Sequence, residues 1–162
     1  MKRSPQLARA FSLVEVTLAL GVAAFSLIAI FGLLVTGTQT NHTAIEQTAS
    51  SDILTAVAAD LRATPKTTPP GGAATSPQFS ISIPANPVGA TTTSTLYFNA
   101  QGRSSTSLKT DSRYLLTVNF LPNGSGSRTA TFVELKMTWP AAAAVTGANT
   151  GAAETFVALD RN

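Results

Sequence analysis

The 162-residue sequence predicts an α+β fold in which a long N-terminal helix lies against an antiparallel β-sheet. Three observations predict it. Residues 16–35 are an apolar run without a charged side chain. Residues 45–61 carry apolar side chains at four-residue spacing, and several segments beyond residue 64 alternate apolar with polar residues. Four-residue spacing is the signature of one helix face, and period-two alternation that of a half-buried strand.

The apolar run is about 20 residues, or roughly 30 Å as a helix, which matches the hydrocarbon core of a bilayer. Lys2, Arg3 and Arg9 precede it, and no Lys or Arg follows until Arg62. The positive-inside rule then places the N-terminus in the cytoplasm and the remainder outside. A secretory signal peptide has a shorter apolar region, about 7–15 residues, followed by a small-residue cleavage site. Thr36-Gly37-Thr38-Gln39 is a poor site of that kind. An uncleaved signal anchor fits length and orientation but leaves Glu15 unexplained. A carboxylate at the edge of a span either rests among lipid headgroups or has a functional partner.

The helix is expected to run on past the membrane. No proline lies between Pro5 and Pro65, and Ile45, Ala49, Ile53, Val57 and Leu61, with Leu54 beside them, form an apolar stripe. Asp52, Asp60 and Arg62 are read as lying off that stripe. A helix over 11–63 would be roughly 80 Å long. Gly32 and Gly37 are possible break points, which would divide it into a membrane helix and a separate short one.

Thr64-Pro65 ends the helix, and a Pro/Gly-rich loop follows. Strands are expected at Phe79, Ile81 and Ile83; at Leu96-Tyr97-Phe98; at Tyr114, Leu116, Val118 and Phe120; at Val133, Leu135, Met137 and Trp139; and from Thr155 to Leu159. The turn signal Pro122-Asn123-Gly124-Ser125 makes the two long candidates a hairpin. The sheet should have about four strands. Ala141-Ala142-Ala143-Ala144 and the segment 147–153 read as a flexible connection or a subunit-contact loop.

Composition narrows the function. Charged residues are 12% of the chain, against about 25% in a typical domain. Removing Lys2, Arg3 and Arg9 from the 11 Lys and Arg leaves a balance with the 8 acids. The basic excess therefore belongs to the first ten residues and gives no basic patch for nucleic acid. With no cysteine and a single histidine, His42, thiolate metal sites and nucleophile–base pairs have no material. His42 reads as a solvated helix residue, and the chain is not expected to be an enzyme. Glu154 and Asp160 could converge on calcium, but such sites need about six oxygen ligands and no Asp-x-Asp-x-Asp run is present. Asn41-His42-Thr43 and Asn123-Gly124-Ser125 fit the N-glycosylation pattern, though chance turns explain them better.

The string Ala10-Phe11-Ser12-Leu13-Val14-Glu15-Val16 resembles the class III signal of type IV pilins and pseudopilins. The strand ending in Trp139-Pro140 resembles minor pilins and minor pseudopilins of the I/V type. The whole-chain layout is similar to the Verru_Chthon cassette protein B family of pilin-like proteins. The resemblance covers residues 10–35, then 129–142 more weakly, and implies a pilin-like fold. It further implies a leader, 1–10, cut between Ala10 and Phe11; a helix, 11–63, whose part 11–35 spans the membrane or forms a filament core; and a β-rich domain, 64–162. The family usually has Gly before the cut, where this chain has Ala10.

On this reading Phe11 is N-methylated and Glu15 serves subunit assembly. The implied partners are the prepilin peptidase and methyltransferase, an inner-membrane assembly platform, other pilin or pseudopilin subunits and membrane lipid. No cofactor, metal or nucleic acid is implied. The implied function is a structural subunit of a type IV pilus or type II secretion system. The alternatives are a filament-tip module that binds an adhesion target, DNA or a secreted substrate, and an uncleaved single-span envelope protein.

Overall fold

A computed structural model describes residues 12–124, 130–145 and 151–161. One helix, α1, spans Leu13–Ala63 without a break at Gly32 or Gly37. The chain divides into two compact units, the first ending at Ala44 and the second beginning at Ile45.

In the first unit nearly every large apolar side chain of α1 is exposed. Leu13, Phe25, Ile28 and Leu33 all show more than half of their surface. In the second unit α1 turns selective. Ile53, Leu54, Val57, Ala58 and Leu61 are buried against the sheet, whereas Asp52, Thr55 and Arg62 are exposed. The predicted stripe therefore holds from Ala49 onward, but Ile45 remains 58% exposed and outside the core.

The sheet is antiparallel with five strands in the order β4-β3-β5-β6-β7. These are β3 (Thr92–Asn99), β4 (Ser104–Ser105), β5 (Ser112–Phe120), β6 (Thr131–Trp139) and β7 (Gly151–Leu159). Two short strands, β1 (Ala74–Thr75) and β2 (Ser82–Ile83), form a separate antiparallel pair. The β5–β6 hairpin aligns Leu116 with Met137, Val118 with Leu135 and Phe120 with Val133. Period two then sends those six side chains to one face, where each is fully buried. Full burial of one such side chain stabilises by about 1.5–3 kcal/mol, so this face and the helix stripe supply most of the core.

The sheet has five strands where about four are expected, β4 being the addition, and several segments differ in extent or form. The fifth strand begins at Gly151, four residues before Thr155, so Gly151–Ala153 is paired sheet. Gly151 is opposite Trp139, and a methyl on its Cα would overlap the indole; only glycine allows the strand to pass there. Ala141–Val145 is a short 3-10 helix. The segment around Phe79 is a turn rather than a strand. Ser80 takes a left-handed φ of 55°, Ser76 Oγ accepts from Ile81 N, and only Ser82–Ile83 pairs. Its alternation survives because Phe79, Ile81 and Ile83 are buried all the same. The end of the Pro122–Ser127 turn signal, from Ser125, lies outside the described residues.

Candidate membrane helix and domain sites

The first half of α1 is long and apolar enough to cross a membrane, with a mean hydropathy of 2.6 in its most apolar window and none of that window buried. Its hydroxyls are satisfied internally. Thr17 Oγ1 donates to Val14 O at 2.9 Å, Ser26 Oγ to Val22 O at 2.8 Å and Thr36 Oγ1 to Gly32 O at 3.3 Å. A hydroxyl bonded to its own helix turn carries little desolvation cost into hydrocarbon, where an unsatisfied group would cost several kcal/mol.

Glu15 lies exposed in the first turn of α1. Ser12 and Glu15 have the Ser-x-x-Glu spacing of a capping box, and Ser12 O accepts from Val16 N at 3.2 Å. An acid there also faces the positive end of the helix dipole. Glu15 thus has a local role open to it at the helix N-terminus, besides any partner in a neighbouring molecule. Ala10 and Phe11, the expected processing residues, lie outside the described residues.

In the domain the structure corrects one reading. Asp60 is not off the buried face; it is 5% exposed. Seven residues separate it from Ile53, and an α-helix drifts only about 20° over a heptad, so the two share a face. Its carboxylate accepts from Gln78 N at 3.0 Å and from Phe79 N at 3.1 Å. Those two N–H groups belong to the turn that places Phe79 edge-on to Phe98, with ring centroids 5.6 Å apart. Asp60 therefore ties the last helical turn to the connection that follows it.

Higher on the helix, Arg113 Nη2 donates to Glu46 Oε1. Beside that pair Tyr114 packs edge-on to Trp139, with centroids 6.1 Å apart. The Tyr114 phenol is pushed above its ordinary pKa, first by burial and then by the Glu46 carboxylate, with Arg113 opposing. Arg161 is 3% exposed; its Nη2 donates to Gly72 O at 2.7 Å, while Nε and Nη1 have no partner among the described residues. Burial lowers its pKa. The spacing gave no signal for Asp60 or Arg161 as contact residues, because their partners come from loops far away in sequence.

Asp160 accepts from Lys66 Nζ at 2.9 Å, and Glu154 pairs in register with Lys136 on β6. No group of three or more His, Cys, Asp or Glu that could hold a metal occurs among the described residues. Asn123, in the second glycosylation pattern, has its amide committed: Nδ2 donates to Asn86 Oδ1 at 2.6 Å and to Ala130 O at 3.2 Å. His42 is exposed on α1.

Two concavities of the domain are lined by described residues. One, of about 420 Å³, runs between α1 and the edge strand β7, over Leu54, Ala58 and Val157. The other, of about 260 Å³, is polar and lies among the β3–β4 and β4–β5 connections. No protein-family model, curated protein or solved structure matches the chain.

Proposed function

We propose that this chain is a structural subunit of a type IV pilus-like filament or a type II secretion pseudopilus, of the minor pilin or minor pseudopilin kind. The observation that carries the reading is one unbroken helix with two characters. Its first half is apolar all round with an acid in the first turn, and its second half is one-sided and built into an α+β domain. Apolar surface of that extent must be covered by lipid or by other helices. A filament subunit uses both covers in succession.

The proposed sequence of events starts in the inner membrane, with the N-terminus cytoplasmic and the domain periplasmic. A prepilin peptidase hydrolyses the Ala10–Phe11 peptide bond, and the new Phe11 amine is methylated. Residues 11–35 then leave the bilayer and pack into a helical core. In that core the Phe11 ammonium of one subunit pairs with Glu15 of a neighbour. Each charge is costly in an apolar layer, and pairing offsets the cost only when two subunits sit at matching height. The pair therefore selects axial register as well as adding attraction.

Mass spectrometry of the N-terminal peptide from membrane-purified protein tests the first step. A peptide beginning at N-methylated Phe11 is expected. A start at Met1 or Lys2 would leave an ordinary signal-anchored protein and defeat the assembly mechanism. The capping role of Glu15 calls for a second test, in which Glu15→Gln keeps a capping-box side chain and removes the charge. Membrane insertion should be unchanged and incorporation into filaments lost; normal incorporation would assign Glu15 to the helix cap alone.

A further inference from the structure

The polar cavity at the β4 edge of the sheet has features that a plain loop cluster does not need. Asn99 organises it. Its Oδ1 accepts from Gln101 N at 3.1 Å and from Arg103 N at 2.9 Å, and its Nδ2 donates to Asp111 Oδ2 at 3.3 Å. The β3–β5 register shifts at Phe98/Asn99, and Gly102 takes a φ of 74°, so the chain doubles back and brings Arg103 to the cavity. On the opposite connection, Ser112 Oγ accepts from Lys109 N at 2.9 Å and fixes where Lys109 begins. Backbone and acceptor geometry on both walls is therefore set before any ligand arrives.

Two cations, Arg103 and Lys109, line this cavity, and neither side chain has a hydrogen-bond or ion-pair partner among the described residues. Two positive charges placed in a concavity and left unpaired attract an oxyanion. Asp111 lines it too. A carboxylate there repels a polyanion and weakens a bare phosphate, but it accepts hydrogen bonds from neutral hydroxyls. The ligand that satisfies all three groups carries one anionic group and several hydroxyls. Tyr97 and the serine hydroxyls of the lining add further donors and acceptors of the kind sugars use. The volume is below the roughly 300–1,000 Å³ of sites for drug-sized ligands, which suits a single sugar residue.

We infer that the cavity bounded by Arg103, Lys109, Asn99 and Asp111 is a binding site for an acidic sugar residue of the uronate class. The guanidinium and ammonium take the sugar carboxylate, while Asp111 and the Asn99 amide take ring hydroxyls. This inference does not rest on the filament reading, and a signal-anchored protein could carry the same site.

The test is titration of the full-length protein in detergent with galacturonate, galactose and inorganic phosphate, followed by calorimetry or saturation-transfer NMR. Galacturonate should bind saturably and more tightly than either of the others, and less tightly as salt is raised. Arg103→Ala and Lys109→Ala should each weaken it about tenfold, the loss expected for one charge-assisted hydrogen bond. Asp111→Asn should weaken galacturonate and strengthen phosphate. All three side chains are exposed, so the variants should keep the Trp139 fluorescence of the parent. Absence of saturable galacturonate binding, or binding indifferent to Arg103→Ala and Lys109→Ala, overturns the proposal. So does phosphate binding as tightly as galacturonate, which would define a plain oxyanion site.

Discussion

The two halves of α1 are one continuous helix made by different rules. Between Leu13 and Val35 the helix is apolar on every side and buries nothing. Between Ser50 and Leu61 it buries one face, and that face includes the hydroxyl of Ser50 and the carboxylate of Asp60 among its apolar side chains. An all-round apolar surface tolerates a cover of any arrangement, lipid or helix, because no direction is preferred. A one-sided surface fits a single partner, and the polar groups on it must meet specific donors. The first half is consequently sensitive to charge and insensitive to packing detail, while the second is sensitive to both.

The largest effects should come from placing a charge in each half. Val57→Asp puts an unpaired carboxylate at a position with no exposed surface, and should cost about 4 kcal/mol or more of domain stability. Urea unfolding followed by Trp139 fluorescence would read that loss, with membrane association retained. Ile28→Asp should do the converse. It should cost insertion about 3 kcal/mol and leave the Trp139 signal alone, as membrane flotation of the same preparation would show. If either variant disturbed both readouts equally, the two halves would not be energetically separate.

Asp60→Ala sharpens the comparison by removing a polar contact from the buried face. Two backbone N–H groups lose their acceptor, at about 1–3 kcal/mol for each that stays dry. The Phe79 turn should loosen first, visible as faster amide exchange at Gln78 and Phe79 than at β5. Asp60→Asn, which keeps one acceptor oxygen, should lose less. Unchanged exchange in Asp60→Ala would mean that water replaces the carboxylate at no cost.

Gly151→Ala should destabilise by about 1–3 kcal/mol, because the added methyl drives the indole of Trp139 off its place. A red-shifted tryptophan emission with a lowered denaturation midpoint would report it, and an unmoved midpoint would mean that β7 starts later than Gly151.

The smallest effects belong to Arg161 and Tyr114. Arg161→Met removes a guanidinium with two nitrogens that have no partner among the described residues, so stability should stay level or rise, unlike most losses of a buried residue. Tyr114 supplies a pH dependence. Its folded pKa lies above 10.0, so its contribution is complete below that pH and is lost as pH rises beyond it. Replacing Tyr114 with Phe should flatten that alkaline slope, and a slope that persists would have to come from another group.

Much of the fold was legible because periodicity records burial directly. The alternation from Tyr114 to Phe120 maps one for one onto buried positions, and that from Val133 to Trp139 does so except that Thr138 is buried as well. The alternation at Phe79, Ile81 and Ile83 also marked burial correctly, yet the backbone there is a turn held by Ser76 and Asp60. Burial and strand pairing are separate facts, and only the first is written in side-chain polarity. Residues 151–153 were missed for the opposite reason. Gly151, Ala152 and Ala153 have too little side chain to show a pattern, and their pairing is imposed by β6 across the sheet.

The candidate sites divide in the same way. Glu15 stood out in the sequence because it is the single charge beside a long run that has none. The oxyanion cavity did not, since Asn99, Arg103, Lys109 and Asp111 are ordinary polar residues until a register shift and two tight connections bring them round one space. What the sequence by itself determined was the α+β class, the membrane-length helix and the inward face of each long strand, because hydrophobicity and its period act locally along the chain. What only the tertiary structure decided was that Asp60 and Arg161 are buried, that Gly151 must be glycine, and that two unpaired cations share a cavity, because each depends on a partner far away in sequence.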